Sequence, residues 1–307
     1  MDDYNDLILQ FDAFVRSFKQ NKDVANSFLI GAGASISSGI QSATDCLWEW
    51  KKDIYCSNND NVGNIFQNYK TDTIQKIIQE WLDKQGIYPI QGDENEYSFY
   101  AEQTYPIEED RVKYFKNLSK DKAPYIGYKL LCLLNKFGVV KSVWSTNFDG
   151  LVPRAAHQLN ITPIEINLDN DGQIFRNSSD SELLYIALHG DYKYSKLKNT
   201  SNELDNQSEI FSDKLKHYFA DKNLIVCGYS GRDKSLMDAL LVAFKEKGSG
   251  RVYWCGYGDD IPINVRNFLL SVRQYGRKSY YISTDGFDKT MISLVKACVE
   301  NDKEKII

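Results

Sequence analysis

The sequence of 307 residues predicts an α/β fold built around a doubly wound, mostly parallel sheet. Three observations predict it. Short apolar runs rich in β-branched and aromatic residues are typical of buried strands. They alternate with longer segments whose apolar residues recur at helical spacing, as parallel connections require. Glycine-rich or polar clusters directly follow four of these runs, where ligands bind in open parallel sheets.

The helices are predicted from the spacing of their apolar residues. Phe11, Phe14 and Phe18 mark one face of the first amphipathic helix. Pro153 falls in the first turn of a later one, where proline is tolerated. The predicted helices cover about residues 3–20, 43–56, 71–84, 107–118, 123–137, 208–220, 234–246, 262–274 and 286–299.

The strands are predicted from the apolar runs between these helices. They cover about residues 26–31, 139–146, 162–167, 184–188, 223–228, 251–256 and 279–282. We therefore expect one domain over 1–307, with a core at about 22–40 and 139–300 and a mostly helical insertion at about 41–138. The aromatic residues at 97–105 in the insertion either pack locally or offer a surface for a lid or an oligomer contact.

Composition excludes several classes of protein. The net charge of −5 comes without a basic patch, so direct nucleic-acid binding is not expected. No apolar run reaches the roughly 20 residues that span a bilayer, and the acidic N-terminus is unlike a signal peptide. We therefore expect a cytoplasmic protein with no membrane contact.

The six cysteines include no Cys-x-x-Cys pair. Several lie in apolar, strand-like or helix-like segments, which favours buried free thiols in a reducing compartment. Structural zinc sites need paired ligands at short spacing, so no zinc is expected.

A glycine-rich loop, Gly31-Ala32-Gly33-Ala34-Ser35, follows the first predicted strand. Backbone without Cβ atoms can approach a pyrophosphate closely, and a following helix start offers N–H groups to an anion. The spacing is neither Gly-x-Gly-x-x-Gly nor that of a P-loop, and a plain tight turn would look the same. The loop indicates a nucleotide only together with other clusters.

Three polar clusters follow three later strands, at 146–150, 189–191 and 228–233. Asn147 and Asp149 could each cap the following helix, and His189 could be a structural hydrogen-bonding residue. All the clusters nevertheless fall at carboxyl ends of strands, where a doubly wound sheet binds its ligand. Their common position predicts a single ligand crevice.

These residues in this order resemble the sirtuin superfamily, a family with a Rossmann-like sheet. The resemblance is carried by Gly31-Ala32-Gly33-Ala34-Ser35, Ser38-Gly39-Ile40, Thr146-Asn147-Phe148-Asp149, His189-Gly190 and Gly228-Tyr229-Ser230. It spans about residues 26–300. The chain departs from the deacylases of that family in lacking the four-cysteine zinc module, an arginine after Gly39-Ile40, and a glutamine before Asn147.

With these departures, the chain resembles the sirtuin-like domains of bacterial anti-phage defence proteins. That resemblance implies an NAD+ glycohydrolase that releases nicotinamide and ADP-ribose, gated so that it depletes NAD+ only on infection. It also implies a homo-oligomer, or an assembly or fusion with a sensor or ATPase part. The alternatives are an NAD-dependent protein deacylase, a non-catalytic module that binds NAD or ADP-ribose, and a nicotinamide dehydrogenase.

The site is expected to divide into catalytic and binding residues. Asn147 would orient the nicotinamide ribose or the attacking water, and Asp149 would hold the nicotinamide carboxamide or stabilise cationic character. His189 would be the general base, a task that suits an imidazole with a pKa near neutrality. The residues expected to bind NAD+ are Gly31, Ala32, Gly33, Ser35, Asp45, Thr146, Asn147, Asp149, Gly228, Tyr229 and Ser230.

Overall fold

A computed structural model of the chain describes residues 5–59, 68–93, 95–167, 181–188 and 215–299. The described strands form one seven-stranded sheet in the order β3-β4-β2-β1-β5-β6-β7, and every pair is parallel. The predicted fold class is confirmed. The strands are β1 (Asn26–Ile30), β2 (Val140–Ser145), β3 (Thr162–Asn167), β4 (Glu182–Ala187), β5 (Asn223–Cys227), β6 (Val252–Tyr257) and β7 (Ser279–Thr284).

The winding reverses at β1, which pairs with β2 on one side and β5 on the other. Ile30, the last residue of β1, is in register with Ser145 and with Cys227, the last residues of those two strands. The loops that follow β1, β2 and β5 therefore leave the sheet side by side. This reversal is where open α/β sheets form a ligand crevice.

Helices cover both faces of the sheet. The first face packs against α1, α6, α7 and α10, and the second against α8, α9 and the helical residues 215–218. The helices are α1 (Phe11–Gln20), α2 (Ala43–Asn58), α3 (Asp72–Gln85), α4 (Glu96–Thr104), α5 (Glu108–Ser119), α6 (Ile126–Lys136), α7 (Leu151–Gln158), α8 (Lys234–Lys245), α9 (Ile263–Gln274) and α10 (Phe287–Val299). In the described ranges, no helix is long and apolar enough to cross a membrane.

The predicted first helix is interrupted in the structure. A 3₁₀ turn at Asn5–Leu7 is followed by an extended stretch before α1 begins. There, Ile8 forms a parallel bridge with Tyr281, and the Leu9 N–H donates to the Tyr281 carbonyl at 2.9 Å. This segment covers part of the β7 edge, and that long-range pairing overrides its helical periodicity.

The inserted helices α2–α5 have their own apolar cluster, separate from the two that cover the sheet. Trp50 and Tyr100 are fully buried at its centre, and Tyr88 stacks on Tyr100 with ring centroids 5.9 Å apart. Of the aromatic residues at 97–105, Tyr100 therefore packs locally, whereas Tyr97 is half-buried and reaches the cavity described below. Helix α6, at the end of the predicted insertion, packs on the sheet.

A buried ion pair joins two of the inserted helices. The Lys51 ammonium is 0% exposed, forms a salt bridge with Glu96 and donates to Gln79 Oε1 at 2.7 Å. Burial lowers the pKa of Lys51, and the hydrogen bond and charge of Glu96 oppose this shift. Because a buried charge is costly without its partner, removing one member of the pair should weaken the packing of α2 on α4.

Glu96→Gln should therefore reduce the free energy of unfolding by about 3 kcal/mol, because Lys51 keeps a buried charge without a counter-ion. The matched control is Glu80→Gln, which removes an exposed partner of Lys76 and should cost under about 1 kcal/mol. Urea denaturation measures both. Equal losses in the two variants would contradict the importance of the buried pair.

Candidate functional site

A cavity of about 800 Å³ lies at the carboxyl ends of the central strands, between the sheet and the inserted helices. Its floor comes from the loops after β1, β2 and β5, and from the ends of β6 and β7. Its opposite wall comes from α5 and the start of α4. The aromatic and aliphatic side chains that line it include Ile36, Tyr97, Phe115, Phe148 and Tyr257. The volume falls within the range of small-molecule and cofactor sites.

The glycines of the β1 and β5 loops allow the two backbones to touch. The Gly33 N–H donates to the Gly228 carbonyl at 2.8 Å, and the Gly31 N–H donates to the Cys227 carbonyl at 3.1 Å. A Cβ on Gly31 would lie 2.6 Å from the Gly228 oxygen. A Cβ on Gly228, which has φ +66°, would lie 2.3 Å from the Ala34 nitrogen. These glycines are therefore required by loop-to-loop packing.

This packing engages two of the N–H groups in the expected phosphate cradle. The N–H groups of Gly31 and Gly33 already donate to the β5 loop, and so are not available to a pyrophosphate. Ala32 lies between them at the cavity wall, and its N–H has no acceptor among the residues that the structure describes. Ser230 also lies at this wall, close to the exposed Arg232. The Ala32 N–H, Ser230 and Arg232 are therefore candidate anion contacts at this wall.

The Ser35 hydroxyl is the centre of a buried hydrogen-bond network. It donates to Asp149 Oδ2 at 2.5 Å and accepts from Asn147 Nδ2 at 3.0 Å. The Tyr128 hydroxyl lies 2.7 Å from the same oxygen. Because Ser35 has one proton and gives it to Asp149, Tyr128 must donate to Ser35. The Ser35 hydroxyl, one of the groups expected to bind NAD+, thus holds the side chains of Asn147 and Asp149.

Asn147 is held by its amide nitrogen. Nδ2 donates to the Gly31 carbonyl at 3.0 Å as well as to Ser35, while the backbone N–H donates to Ser145 Oγ at 3.1 Å. Within the described ranges, no donor reaches its Oδ1. The residue lines the cavity, so Oδ1 remains as an acceptor for a molecule bound there.

Asp149 is buried at the same wall of the cavity. Its Oδ1 accepts from the Leu151 N–H at 2.9 Å, so the carboxylate caps the start of α7 as well as holding Ser35. The Arg154 guanidinium donates to the Asp149 carbonyl oxygen at 2.5 Å. The helix-cap and site interpretations of this residue are therefore both compatible with its contacts.

Tyr128 is the site residue that sequence reasoning missed. Burial and then the Asp149 charge raise the pKa of Tyr128 well above its usual value, so the hydroxyl keeps the proton that it donates. On α6 the residue is three positions from Leu131 and on the same apolar face, so its spacing indicates core packing alone. No local signal in the sequence shows that its hydroxyl has a role beyond the packing of its ring.

The remaining predicted residues divide between the cavity and its surroundings. Thr146, Tyr229 and Ser230 line the cavity, and the Thr146 N–H donates to the Ile30 carbonyl at 3.1 Å. Asp45 instead forms a capping box with Ser42 at the start of α2. Although burial opposes it, hydrogen bonds from Lys70 and Ser42 hold the pKa of Asp45 below its ordinary value.

His189 lies outside the described residues, as do Gly190 and Asp191. The strand that precedes it is β4, which ends at Ala187. Ala187 is in register with Ser145, the last residue of β2. The end of β4 therefore lies beside the strand that leads into the loop with Asn147.

Comparisons with known proteins were made by family model, by curated sequence and by solved structure. A sequence model of the SIR2-like domain matches residues 141–279, a segment that runs from β2 to the start of β7 and leaves out β1, its glycine loop and the inserted helices. The comparison with curated proteins finds no match.

Among solved structures, the chain is similar to a Sir2 homolog–NAD complex at 14% identity, covering 93% of this chain and 94% of that chain with a TM-score of 0.49. A structure that concerns the mechanism and regulation of Sir2 enzymes is 13% identical, covering 95% of this chain and 98% of that chain with a TM-score of 0.47. A Sir2 homologue mutant in complex with ADP-ribose is also 13% identical, with coverage of 93% and 96% and a TM-score of 0.47. Similarity at this level says nothing about the reaction.

Gly228→Ala should destabilise the loop contact because the new Cβ meets the Ala34 backbone. The matched control is Gly258→Ala, since Gly258 has φ +77° but nothing within 4 Å of its added Cβ. Both variants carry the left-handed backbone penalty, and Gly228→Ala should lose about 1–3 kcal/mol more through the clash. Thermal or urea unfolding gives the difference. Identical stabilities would mean that the β1 and β5 loops separate without cost.

Proposed function

We propose that this chain is an NAD+ glycohydrolase that cleaves the nicotinamide–ribose bond and yields nicotinamide and ADP-ribose. The observation that carries the proposal is the Ser35–Asn147–Asp149 network beside a dinucleotide-sized cavity at the reversal of the sheet. The match of residues 141–279 to the SIR2-like domain supports it, since that segment supplies Asn147 and Asp149. The motif order in the sequence supports it as well.

The chemistry of this bond suits the groups present. Nicotinamide leaves as a neutral ring from a cationic one, while positive charge spreads over the ribose in an oxocarbenium-like transition state. The negative charge of Asp149, held in a water-poor wall, would stabilise that positive charge. The Asn147 Oδ1 would accept a hydrogen bond from the attacking water or from a ribose hydroxyl, which positions the nucleophile without changing the local charge.

The proton that the attacking water loses needs an acceptor. We assign this role to His189, which follows β4 in the sequence, because β4 lies next to β2 and its cluster. A positioned general base contributes about 100- to 10,000-fold in rate. Anion contacts with the pyrophosphate would come from the Ala32 N–H, Ser230 and Arg232 at the cavity wall.

The proposal extends to a cellular role. The resemblance to defence-associated domains implies a gated effector that depletes NAD+ on infection, acting as an oligomer or with a sensor or ATPase partner. Sedimentation of the purified chain, and loss of cellular NAD+ after phage challenge, test these two parts separately from the reaction itself.

The decisive experiment is incubation of the purified chain with NAD+, followed by chromatography for nicotinamide and ADP-ribose, alone and with an acetyl-lysine peptide. Release of both products without peptide is expected. Turnover only with peptide, together with deacetylated product, would identify a deacylase. Binding by calorimetry without nicotinamide release would identify a regulatory module.

Asn147→Ala and His189→Ala should each lower NAD+ turnover by at least about 100-fold, with circular dichroism unchanged. The matched controls are Asn117→Ala and His157→Ala, which remove the same groups from exposed positions on α5 and α7 and should leave the rate unaltered. Full activity in His189→Ala would refute the proposed base, and full activity in Asn147→Ala would refute the acceptor.

Tyr128→Phe should lower kcat by about tenfold with little change in KM, because Ser35 loses a donor and the side chains that it positions gain freedom. The control is Tyr218→Phe, which removes another buried hydroxyl. This hydroxyl donates to Ser142 Oγ at 2.7 Å and does not line the cavity. Both variants should lose about 1 kcal/mol of stability. A kcat in Tyr128→Phe equal to that of the control would reduce Tyr128 to a packing residue.

A further inference from the structure

Two cysteines face each other across adjacent strands at the floor of the cavity. Cys227 ends β5, and Cys255 is its register partner in β6. Both side chains belong to the same apolar cluster, so they project from the same face of the sheet. They are only 1% and 5% exposed, yet both line the cavity. The proposed reaction uses neither of them.

The strand register brings the two thiols into reach of each other. Neighbouring strands lie about 4.8 Å apart, within the Cα separations of roughly 4.4–6.8 Å that disulfides span. The other cysteines lie on helices: Cys46 and Cys56 on α2, Cys132 on α6 and Cys298 on α10. All six are free thiols in this structure.

We propose that Cys227 and Cys255 form an oxidation-sensitive dithiol that a hydroperoxide entering the cavity converts to a disulfide. The Cys227 sulfur attacks the peroxide oxygen and becomes a sulfenic acid, and the first water leaves. The Cys255 sulfur then attacks the Cys227 sulfur, its proton joins the departing hydroxide, and the second water leaves. In the net reaction, two thiols and one hydrogen peroxide give one disulfide and two waters.

The state of the Cys255 thiol sets the order of attack. The neighbouring Cys227 thiol, together with burial, raises the pKa of Cys255 well above its usual value. Cys255 therefore keeps its proton and acts second, as the resolving thiol. Cys227 lines the cavity, and so do the first residues of the β5 loop that follow it.

The disulfide would act on the loop contact that shapes the cavity. The Cys227 carbonyl accepts the Gly31 N–H, and the next carbonyl, that of Gly228, accepts the Gly33 N–H. A disulfide draws the two Cβ atoms to about 3.8 Å, which should pull the end of β5 toward β6 and away from β1 and leave the bond strained. Such a strained bond is also readily reduced. Oxidation should therefore weaken NAD+ binding reversibly, an effect that rests on the proposed function.

The experiment treats the full chain with hydrogen peroxide, alkylates remaining thiols with iodoacetamide under denaturing conditions, and digests with trypsin. The expected product is peptide 223–232 linked to peptide 252–266, each of which contains one cysteine. Its mass should lie about 2 Da below the sum of the two thiol peptides, and dithiothreitol should separate them. Recovery of both peptides fully alkylated, or each with its own sulfinic acid, would overturn the proposal.

Variants of the two cysteines identify the thiols in the bond, and a variant of another buried thiol controls for effects on folding. Cys255→Ser and Cys227→Ala should each abolish the linked peptide, and Cys132→Ser, which changes another buried thiol, should leave it intact. A disulfide that joins either peptide to one carrying another cysteine, in place of this link, would assign the oxidation to a different pair.

The coupling to the cavity is measured by calorimetry with NAD+. The oxidised wild type should bind about tenfold more weakly than the reduced protein, with recovery after dithiothreitol, while peroxide should have no such effect on Cys255→Ser. Equal affinity before and after cross-linking would overturn the coupling and leave the disulfide standing. Absence of NAD+ binding by the reduced protein would contradict the proposed function and not the disulfide.

Discussion

The cavity depends on one contact, in which the loops after β1 and β5 touch backbone to backbone. The Gly33 N–H donates to the Gly228 carbonyl, and a side chain at Gly31 or Gly228 would intrude on it. Because β1 and β5 are neighbours at the reversal of the sheet, this contact fixes where the chain goes after β1. It thereby delivers Ser35 to the cavity wall, where the loop after β2 meets it.

The Ser35 network turns that placement into a single arrangement. A hydroxyl has one proton and two lone pairs, and here all three are used, by Asp149, Asn147 and Tyr128. Rotation of any partner would leave a buried polar group unpaired, at a cost of about 1–3 kcal/mol. The Asn147 amide is therefore oriented with its nitrogen inward and its oxygen toward the cavity, next to a fixed negative charge. Preorganisation of this kind is what electrostatic catalysis requires.

Much of the fold could be predicted from the sequence, since buried parallel strands appear as short apolar runs and the amphipathic helices have clear periodicity. Features that depend on distant residues could not. The break at Ile8 is caused by Tyr281, and α4 was not assigned because the sequence from Glu96 to Thr104 is polar and aromatic without a helical stripe. In the site, Asn147 and Asp149 could be located by their position after a strand, whereas the role of Tyr128 is invisible to spacing.

The glycine loop illustrates why a motif and a mechanism are separate inferences. Glycine is needed both where a pyrophosphate approaches the backbone and where a neighbouring backbone does, so the sequence alone does not separate the two roles. The distances here show the second role, because a Cβ on Gly31 or Gly33 would meet the β5 loop at 2.6 Å and 2.9 Å. The glycines therefore explain how the cavity is built. What happens inside it must be argued from the groups that face it, which are the Asn147 oxygen, the Asp149 charge and the donors at the opposite wall.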